Sequence, residues 1–117
     1  MAKTATKKAI GTIGSWFATV EGKKLPCVHK HWSTPWPNYN DPEARPGILD
    51  FDDLVAAIKE TGVAILQKDK QPYKNAEDKT VLMRDGYIAV FRIDKESIFL
   101  DQDGLRFRFI DRVFDLA

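Results

Sequence analysis

The segment Leu25–Tyr39 holds the only cysteine of the chain and both of its histidines. If Leu25–Trp32 is extended, the two-residue period of a strand places Cys27, His29 and His31 on one face. Thiolate and imidazole groups are good zinc ligands, so one hypothesis is a zinc-dependent enzyme built on these three residues. Two alternatives stay open: a buried thiol beside two partly exposed histidines, or histidines that contact a ligand or nucleic acid.

Aromatic rings lie in the same segment, separated by prolines and close in sequence to basic residues. Exposed rings of this kind can stack on bases while the cations hold phosphates. The same rings could line a small-molecule pocket, anchor a protein partner, or pack as a satellite of the core. The ligand-binding residues that we predict are Trp32, Trp36 and Tyr39 for stacking, Lys23, Lys24, Lys30 and Arg45 for phosphates, and His29 and His31 for polar contacts.

A second group of basic residues lies later in the chain. From Leu105 to Ile110, apolar side chains alternate with Arg106 and Arg108, which predicts a strand with one buried and one basic face. Arg92 belongs to an earlier predicted strand, Tyr87–Ile93. These three arginines would extend a nucleic-acid-binding surface if they adjoined the proline-rich segment.

No catalytic residue is predicted. Cys27 and His29, two apart on a strand, would have Cα atoms roughly 7 Å apart, too far for an easy thiol–imidazole hydrogen bond. Paired carboxylates occur at Asp52–Asp53, Asp94–Glu96 and Asp101–Asp103. Each pair falls at a helix start or in a hairpin, where caps and turns account for it. An enzyme is therefore the less favoured interpretation, and no cofactor is predicted.

Length and composition indicate one globular domain. A chain of 117 residues is too short for two independent cores. One cysteine cannot form an internal disulfide, and no apolar run approaches the roughly 20 residues that span a bilayer. We therefore expect a cytoplasmic protein that does not contact membranes. Residues 1–46 carry seven Lys and Arg against three Asp and Glu, which fits an anion-facing surface or simply solubilising lysines.

The N-terminal half predicts an arm, a hairpin and a loop. Residues 1–11 have little to bury and predict a flexible basic arm, ahead of one domain that spans residues 12–117. Ser15–Val20 and Leu25–Trp32 have the pattern of two strands joined by a glycine-containing turn. Ser33–Gly47 contains four prolines and predicts an irregular, stiffened loop.

One helix is predicted at about 51–61. Asp50 is a good N-cap and Gly62 is placed to end the helix. Its apolar stripe consists of Phe51, Leu54, Val55 and Ile58. A short strand at Val63–Leu66 follows, and hairpin turns are predicted at 84–86 and 101–104.

Together these elements predict an α+β fold. We expect a small, mostly antiparallel, strongly curved sheet or half-closed barrel of six or seven short strands, with one main helix. The favoured function is a small non-catalytic binding module that contacts nucleic acid through the aromatic and basic segment at 23–45. A protein-interaction factor, such as an inhibitor or an immunity-type protein, is the first alternative, and the zinc-dependent enzyme is the second.

Overall fold

Two long strands near the C-terminal end organise the sheet. The computed structural model describes residues 7–11, 16–42, 47, 49–69, 73–74, 80–81 and 84–116. The elements of this part of the chain are β1 (Ala9–Gly11), β2 (Phe17–Val20), β3 (Lys23–His29), a 3₁₀ helix (Lys30–Trp32), β4 (Asn38–Asp41), α1 (Leu49–Thr61), β5 (Val63–Asp69), β6 (Tyr73–Lys74), β7 (Thr80–Val81), β8 (Arg84–Asp101) and β9 (Gly104–Asp115). β8 and β9, with 18 and 12 residues, are the longest strands described.

Seven of these strands form one sheet in the order β1-β2-β3-β5-β8-β9-β4, and β6 pairs separately with β7. All neighbouring strands are antiparallel except β3 and β5, which are parallel because the chain passes through β4 and α1 between them. The predicted α+β class, with a mostly antiparallel sheet and one main helix, is therefore confirmed. The sheet is not closed into a barrel: an isolated bridge between Lys7 and Leu116 joins the chain just before β1 to the chain just after β9.

α1 begins at Leu49, so Asp50 lies in its first turn and is not the N-cap that the sequence predicts. At the other end, Gly62 has a φ of +70° and its N–H donates to the Ile58 carbonyl at 2.8 Å. Glycine therefore ends the helix as predicted. The predicted stripe packs on the sheet through Phe51, Leu54, Val55 and Ile58. No helix among the described residues is long and apolar enough to cross a membrane.

The central strands are buried on both faces, in two apolar clusters. The helix-side cluster contains Val28, Tyr39, Leu54, Val55, Ile58, Ala64, Leu66, Ala89, Phe91, Ile93, Leu105, Phe107 and Phe109. The opposite cluster contains Ala9, Ala18, Val20, Leu25, Cys27, Ile65, Val90 and Leu116. Along β5, Ala64 and Leu66 belong to the first cluster and Ile65 to the second. The strand therefore has a continuous apolar run instead of an alternating one.

The proline-rich segment contains a strand that the sequence does not predict. Asn38–Asp41 forms β4 and pairs antiparallel with β9, with Tyr39 opposite Phe107. The Pro37 carbonyl accepts the Phe109 N–H at 2.9 Å, just ahead of β4. The loop prediction is wrong here because the burial of a tyrosine ring against β9 outweighs the effect of the flanking prolines. Residues 43–46 lie outside the described part of the chain.

The predicted hairpin turn at 84–86 is also wrong, because β8 continues through it. Gly86 has a φ of +108°, and the pairing register with β5 shifts on both sides of Gln67. The glycine therefore lies at a bulge within a continuous strand. The second predicted hairpin, which turns at Asp101–Gly104 between β8 and β9, is confirmed.

Two boundaries differ from the prediction at the N-terminal side. Ala9–Gly11 pairs with β2, so the sheet begins inside the stretch 1–11 that the sequence assigns to an arm. Residues 1–6 lie outside the described residues. The strand predicted at Leu25–Trp32 begins earlier, at Lys23, and ends at His29, where the 3₁₀ helix follows.

Replacing Gly104 by alanine is expected to destabilise the fold strongly. Gly104 has a φ of +119°, and a Cβ there would overlap the carbonyl oxygen of Asp41 and lie 2.7 Å from Pro42 Cα. Because β4 would have to move, we expect a loss of about 3 kcal/mol in the free energy of unfolding, measured by urea denaturation.

Gly22→Ala is the matched control for this substitution. Gly22 has a φ of +79°, but no described atom lies within 4 Å of a Cβ built there. Only backbone strain of about 1 kcal/mol applies. Equal losses in the two variants would contradict the steric role of Gly104.

Candidate functional site

Tyr39 is the most deeply buried of the predicted site residues, with 1% of its surface exposed. Its ring stacks on Phe107 with centroids 4.7 Å apart and meets Phe109 edge-on at 6.1 Å. Its hydroxyl accepts the backbone N–H of His29 at 3.2 Å and donates to Asp41 Oδ2 at 3.5 Å. Tyr39 therefore joins the end of β3 to β4 as a core residue, and its ring presents no face to a ligand.

His29 is buried as well, with 6% exposure, at the end of β3 where that strand adjoins β5. Gln67 Nε2 lies 3.0 Å from His29 Nδ1, and the Trp16 ring meets the imidazole edge-on at 4.7 Å. Because an amide nitrogen only donates, Nδ1 is the acceptor of this bond. Gln67 itself has 0% exposure. The histidine therefore belongs to a hydrogen-bonded polar pair inside the core.

The three residues of the zinc hypothesis do not converge. Cys27 belongs to the opposite cluster, whereas His31 is exposed in the 3₁₀ helix beyond the end of β3. The two-residue period that would align them stops at His29, because the strand stops there. Within the described ranges, no group of three or more His, Cys, Asp or Glu side chains is placed to hold a metal ion.

Trp36 is the one exposed ring among the three predicted stacking residues, with 52% of its surface exposed. One face of its ring stacks on Phe109, with centroids 4.8 Å apart and planes 13° apart. An edge contact to Phe91, with centroids 5.2 Å apart, fixes the ring from a second side. The arrangement, which we name the Trp36 platform, leaves about half of the Trp36 surface open to solvent.

The 3₁₀ helix ends four residues before Trp36 in the chain and carries three further predicted residues. Lys30 and His31 are exposed, and Trp32 is half-buried against the helix-side cluster. The rings of His31 and Trp32 meet edge-on with centroids 4.5 Å apart. The structure therefore keeps Lys30 and His31 in the same exposed segment as Trp36, while most of Trp32 serves packing.

Lys23 and Lys24 do not join this group. They lie at the start of β3, a seven-residue strand, so roughly 20 Å separates them from the 3₁₀ helix. Lys24 Nζ lies 4.7 Å from the centroid of the Phe17 ring. Arg45, the remaining predicted residue, lies outside the described residues. The predicted site is thus divided between the two ends of β3.

Four arginines of β8 and β9 form ion pairs. The pairs are Arg92 with Asp111 at 2.9 Å, Arg106 with Asp101 at 2.8 Å, Arg108 with Asp94 at 2.7 Å, and Arg112 with Asp115 at 2.8 Å. Arg106 and Arg108 do adjoin the proline-rich segment, because they pair with Asn40 and Asn38 of β4. Their charges are compensated locally, so the predicted basic face is a polar, ion-paired face.

An open depression of about 540 Å³ lies on this polar face, for which the sequence predicts only a possible extension of a nucleic-acid-binding surface. It is lined by Asn38, Tyr39, Asn40, Asp94, Glu96, Ser97, Arg106, Phe107 and Arg108. Its position depends on the pairing of β4 with β9. Of these two strands, β4 is the one that the sequence does not predict. The alternation of Arg106 and Arg108 is the sequence signal that marks one of its walls.

Asp94 has a lowered pKa in this depression. The main cause is the hydrogen bond from the Arg108 side chain, and the backbone N–H of Glu96 also donates to the carboxylate. Both bonds favour the charged form of the group. Asp94 is therefore a carboxylate throughout the neutral range and holds the Arg108 guanidinium in place.

Comparisons of this chain with family models, with curated proteins and with solved structures found no match. Two surfaces of the described structure have a geometry suited to binding: the Trp36 platform and the polar depression on β4, β9 and the bulged part of β8.

Tyr39→Phe tests whether Tyr39 has a packing role or a binding role. The variant keeps the stacked ring but removes the acceptor of a buried N–H. We expect the free energy of unfolding to fall by about 1–3 kcal/mol in urea denaturation. An unchanged free energy of unfolding would contradict the hydrogen-bonding role of the hydroxyl.

The lowered pKa of Asp94 predicts a pH-dependent effect of Asp94→Asn. A carboxylate whose folded pKa is below its ordinary value of 3.8 stabilises the fold above that pH, and this stabilisation is lost as the pH falls through the folded pKa. We expect the wild-type protein to have a higher melting temperature than the variant at pH 7. The difference should shrink below about pH 4 and with added salt.

Asp103→Asn is the control for this experiment, because Asp103 is an exposed carboxylate in the turn between β8 and β9. If the difference in melting temperature between the wild type and Asp94→Asn stays constant from pH 7 to pH 3, the prediction is contradicted.

Proposed function

We propose that this chain is a non-catalytic binding module that binds single-stranded nucleic acid on the Trp36 platform. The observation that carries the proposal is the half-exposed indole, stacked on Phe109 by one face. Unpaired bases stack on exposed aromatic faces with about 1–3 kcal/mol per base, whatever the base.

The platform is pre-organised for such a contact. Pro35 and Pro37 flank Trp36 and restrict the backbone on both sides. The Asn38 N–H donates to the Pro35 carbonyl at 2.8 Å, which closes the turn that carries the indole. Asn40 Nδ2 donates to the Thr34 carbonyl at 3.2 Å and fixes the turn from β4. Little conformational entropy is then lost when a base stacks on the ring.

Cations for the phosphates lie at two distances from the platform. Lys30 and His31 are exposed in the 3₁₀ helix, which ends four residues before Trp36 in the chain. The Arg112 guanidinium lies 5.6 Å from the Phe91 ring that Trp36 also contacts, but its charge is paired with Asp115 at 2.8 Å. Lys23 and Lys24 are much farther away along β3. A long oligonucleotide could reach both groups, whereas a very short one on the platform would contact the near group alone.

A protein partner is the second candidate, and the ion-paired arginines favour it. Because Arg92, Arg106 and Arg108 are each paired with an aspartate, these described arginines do not form the uncompensated positive stripe typical of nucleic-acid-binding faces. Exposed tryptophan is also enriched among the residues that dominate protein–protein binding energy. The experiment below separates the two candidates.

Fluorescence anisotropy with labelled dT15 and rU15 tests the proposal at 50 and 200 mM KCl. We expect binding that weakens steeply with salt, because phosphate contacts release counterions. Trp36→Ala should weaken binding by about 1–3 kcal/mol, or roughly 5- to 150-fold, and Trp36→Phe by less. Ile10→Ala removes an equally exposed apolar side chain from β1 and should have no effect.

The dependence of binding on oligonucleotide length is a second test, because the two groups of lysines lie at different distances from Trp36 along the chain. Lys23→Glu with Lys24→Glu should weaken binding of dT15 but leave binding of dT4 unchanged, whereas Lys30→Glu should weaken both. If neither dT15 nor dT4 binds at 50 mM KCl, the nucleic-acid proposal is overturned and a protein partner remains as the candidate.

A further inference from the structure

The polar depression is a second surface, on the other face of the sheet from the Trp36 platform. Side chains of neighbouring strands alternate between the two faces of a sheet. Tyr39 and Phe107 point into the helix-side cluster, whereas the residues on either side of them point to the outer face. Trp36 packs on Phe109, a member of the helix-side cluster, so the two surfaces lie on different faces.

The outer face carries two rows of side chains across three strands. One row is Asn40 on β4, Arg106 on β9 and Phe99 on β8, and the other is Asn38, Arg108 and Asp94. Pro37 and Phe109 are hydrogen-bonded across the strands, so the Asn–Arg pairs are the closely spaced, non-hydrogen-bonded ones. Each asparagine amide therefore lies beside an arginine.

A bulge in β8 forms the remaining wall. The register jumps between Asp94 and Phe99, so that extra residues of β8 stand out from the ladder. Ser97 Oγ accepts the backbone N–H of Arg108 at 2.8 Å and donates to the Asp94 carbonyl at 2.6 Å. A side chain thus replaces the lost ladder bond and holds the bulge open. Bulges of this kind are over-represented beside functional sites.

The charges of the depression disfavour an ionic ligand. Two guanidiniums face the carboxylates of Asp94 and Glu96, with Asp101 behind Arg106. An added phosphate or carboxylate would meet a surface with no positive excess, and an added cation would compete with ion pairs already formed at 2.7 and 2.8 Å. A neutral ligand encounters neither penalty.

The hydrogen-bonding groups fit a ligand whose groups both donate and accept. An arginine has five N–H donors in a plane, and Arg106 and Arg108 each pair through Nη2 with a carboxylate. Hydroxyl groups of a ligand can accept hydrogen bonds from the remaining guanidinium N–H groups and donate to the carboxylate oxygens. They can do both with the asparagine amides. Phe99, which is 56% exposed with the Arg106 guanidinium 4.9 Å from its ring centroid, adds an apolar surface beside them.

We infer that this depression binds a neutral, polyhydroxylated ligand, namely a carbohydrate. Vicinal hydroxyls of a sugar bind the planar Arg and Asn groups, while the C–H face of the ring packs against Phe99. The ion pairs with Asp94 and Asp101 position the two guanidiniums before the ligand arrives, so few side chains must be ordered on binding.

Backbone amide NMR of the full chain tests the inference, with maltotriose, cellotriose, xylotriose and chitotriose as probes at about 10 mM, which fills a site of millimolar affinity. We expect at least one trisaccharide to shift amides of β4, β9 and the 95–98 bulge in a saturable manner. Arg106→Met keeps the aliphatic stem and should weaken binding at least tenfold, as should Asn38→Ala. Arg92→Met removes an equally exposed, ion-paired arginine from outside the depression and should leave binding unchanged.

Other outcomes overturn the inference. These are no saturable shift with any of the four probes, shifts outside the depression, or equal losses in Arg92→Met and Arg106→Met. Inorganic phosphate that shifts the same amides more strongly than the sugars would show an anion site instead. None of these results depends on the Trp36 platform, whose own test uses oligonucleotides.

Discussion

The docking of β4 on β9 is the constraint on which both candidate surfaces depend, and Tyr39 is its centre. The ring stacks on Phe107 in the core, while the hydroxyl binds the backbone of His29 at the end of β3. One side chain therefore ties the proline-rich segment to two distant parts of the sheet. Residues just before it form the Trp36 platform, and its neighbours Asn38 and Asn40 line the polar depression.

Local charge compensation shapes the outer face of the sheet. Isolated exposed ion pairs contribute little to stability, so the pairs on β8 and β9 matter mainly for what they present to solvent. Because each of these arginines is paired with an aspartate, its N–H groups are held in place as hydrogen-bond donors, and the pair has no net positive charge. The same pairs argue against reading Arg106 and Arg108 as simple phosphate ligands, and they favour ligands that recognise geometry more than charge.

Local patterns predicted the regular elements well where one physical signal dominated. The stripe of α1 follows from helical periodicity, and Gly62 ends that helix because glycine readily adopts a positive φ. The turn at Asp101–Gly104 follows from glycine in the same way. Arg84–Gly86 carries a similar signal but forms a bulge, since the partner of β8 is β5 and not its own preceding segment.

The sequence by itself determined the α+β class, the main helix, the last hairpin and the concentration of aromatic and polar groups in residues 25–39. Only the tertiary structure decided which of those groups face solvent. Tyr39 and His29 entered the core because long-range partners, Phe107 and Gln67, satisfied both their apolar surface and their hydrogen bonds. Trp36 stayed half exposed because Phe109 covers only one of the two faces of its ring. Such partners are far apart in the chain, and local periodicity contains no information about contacts between them.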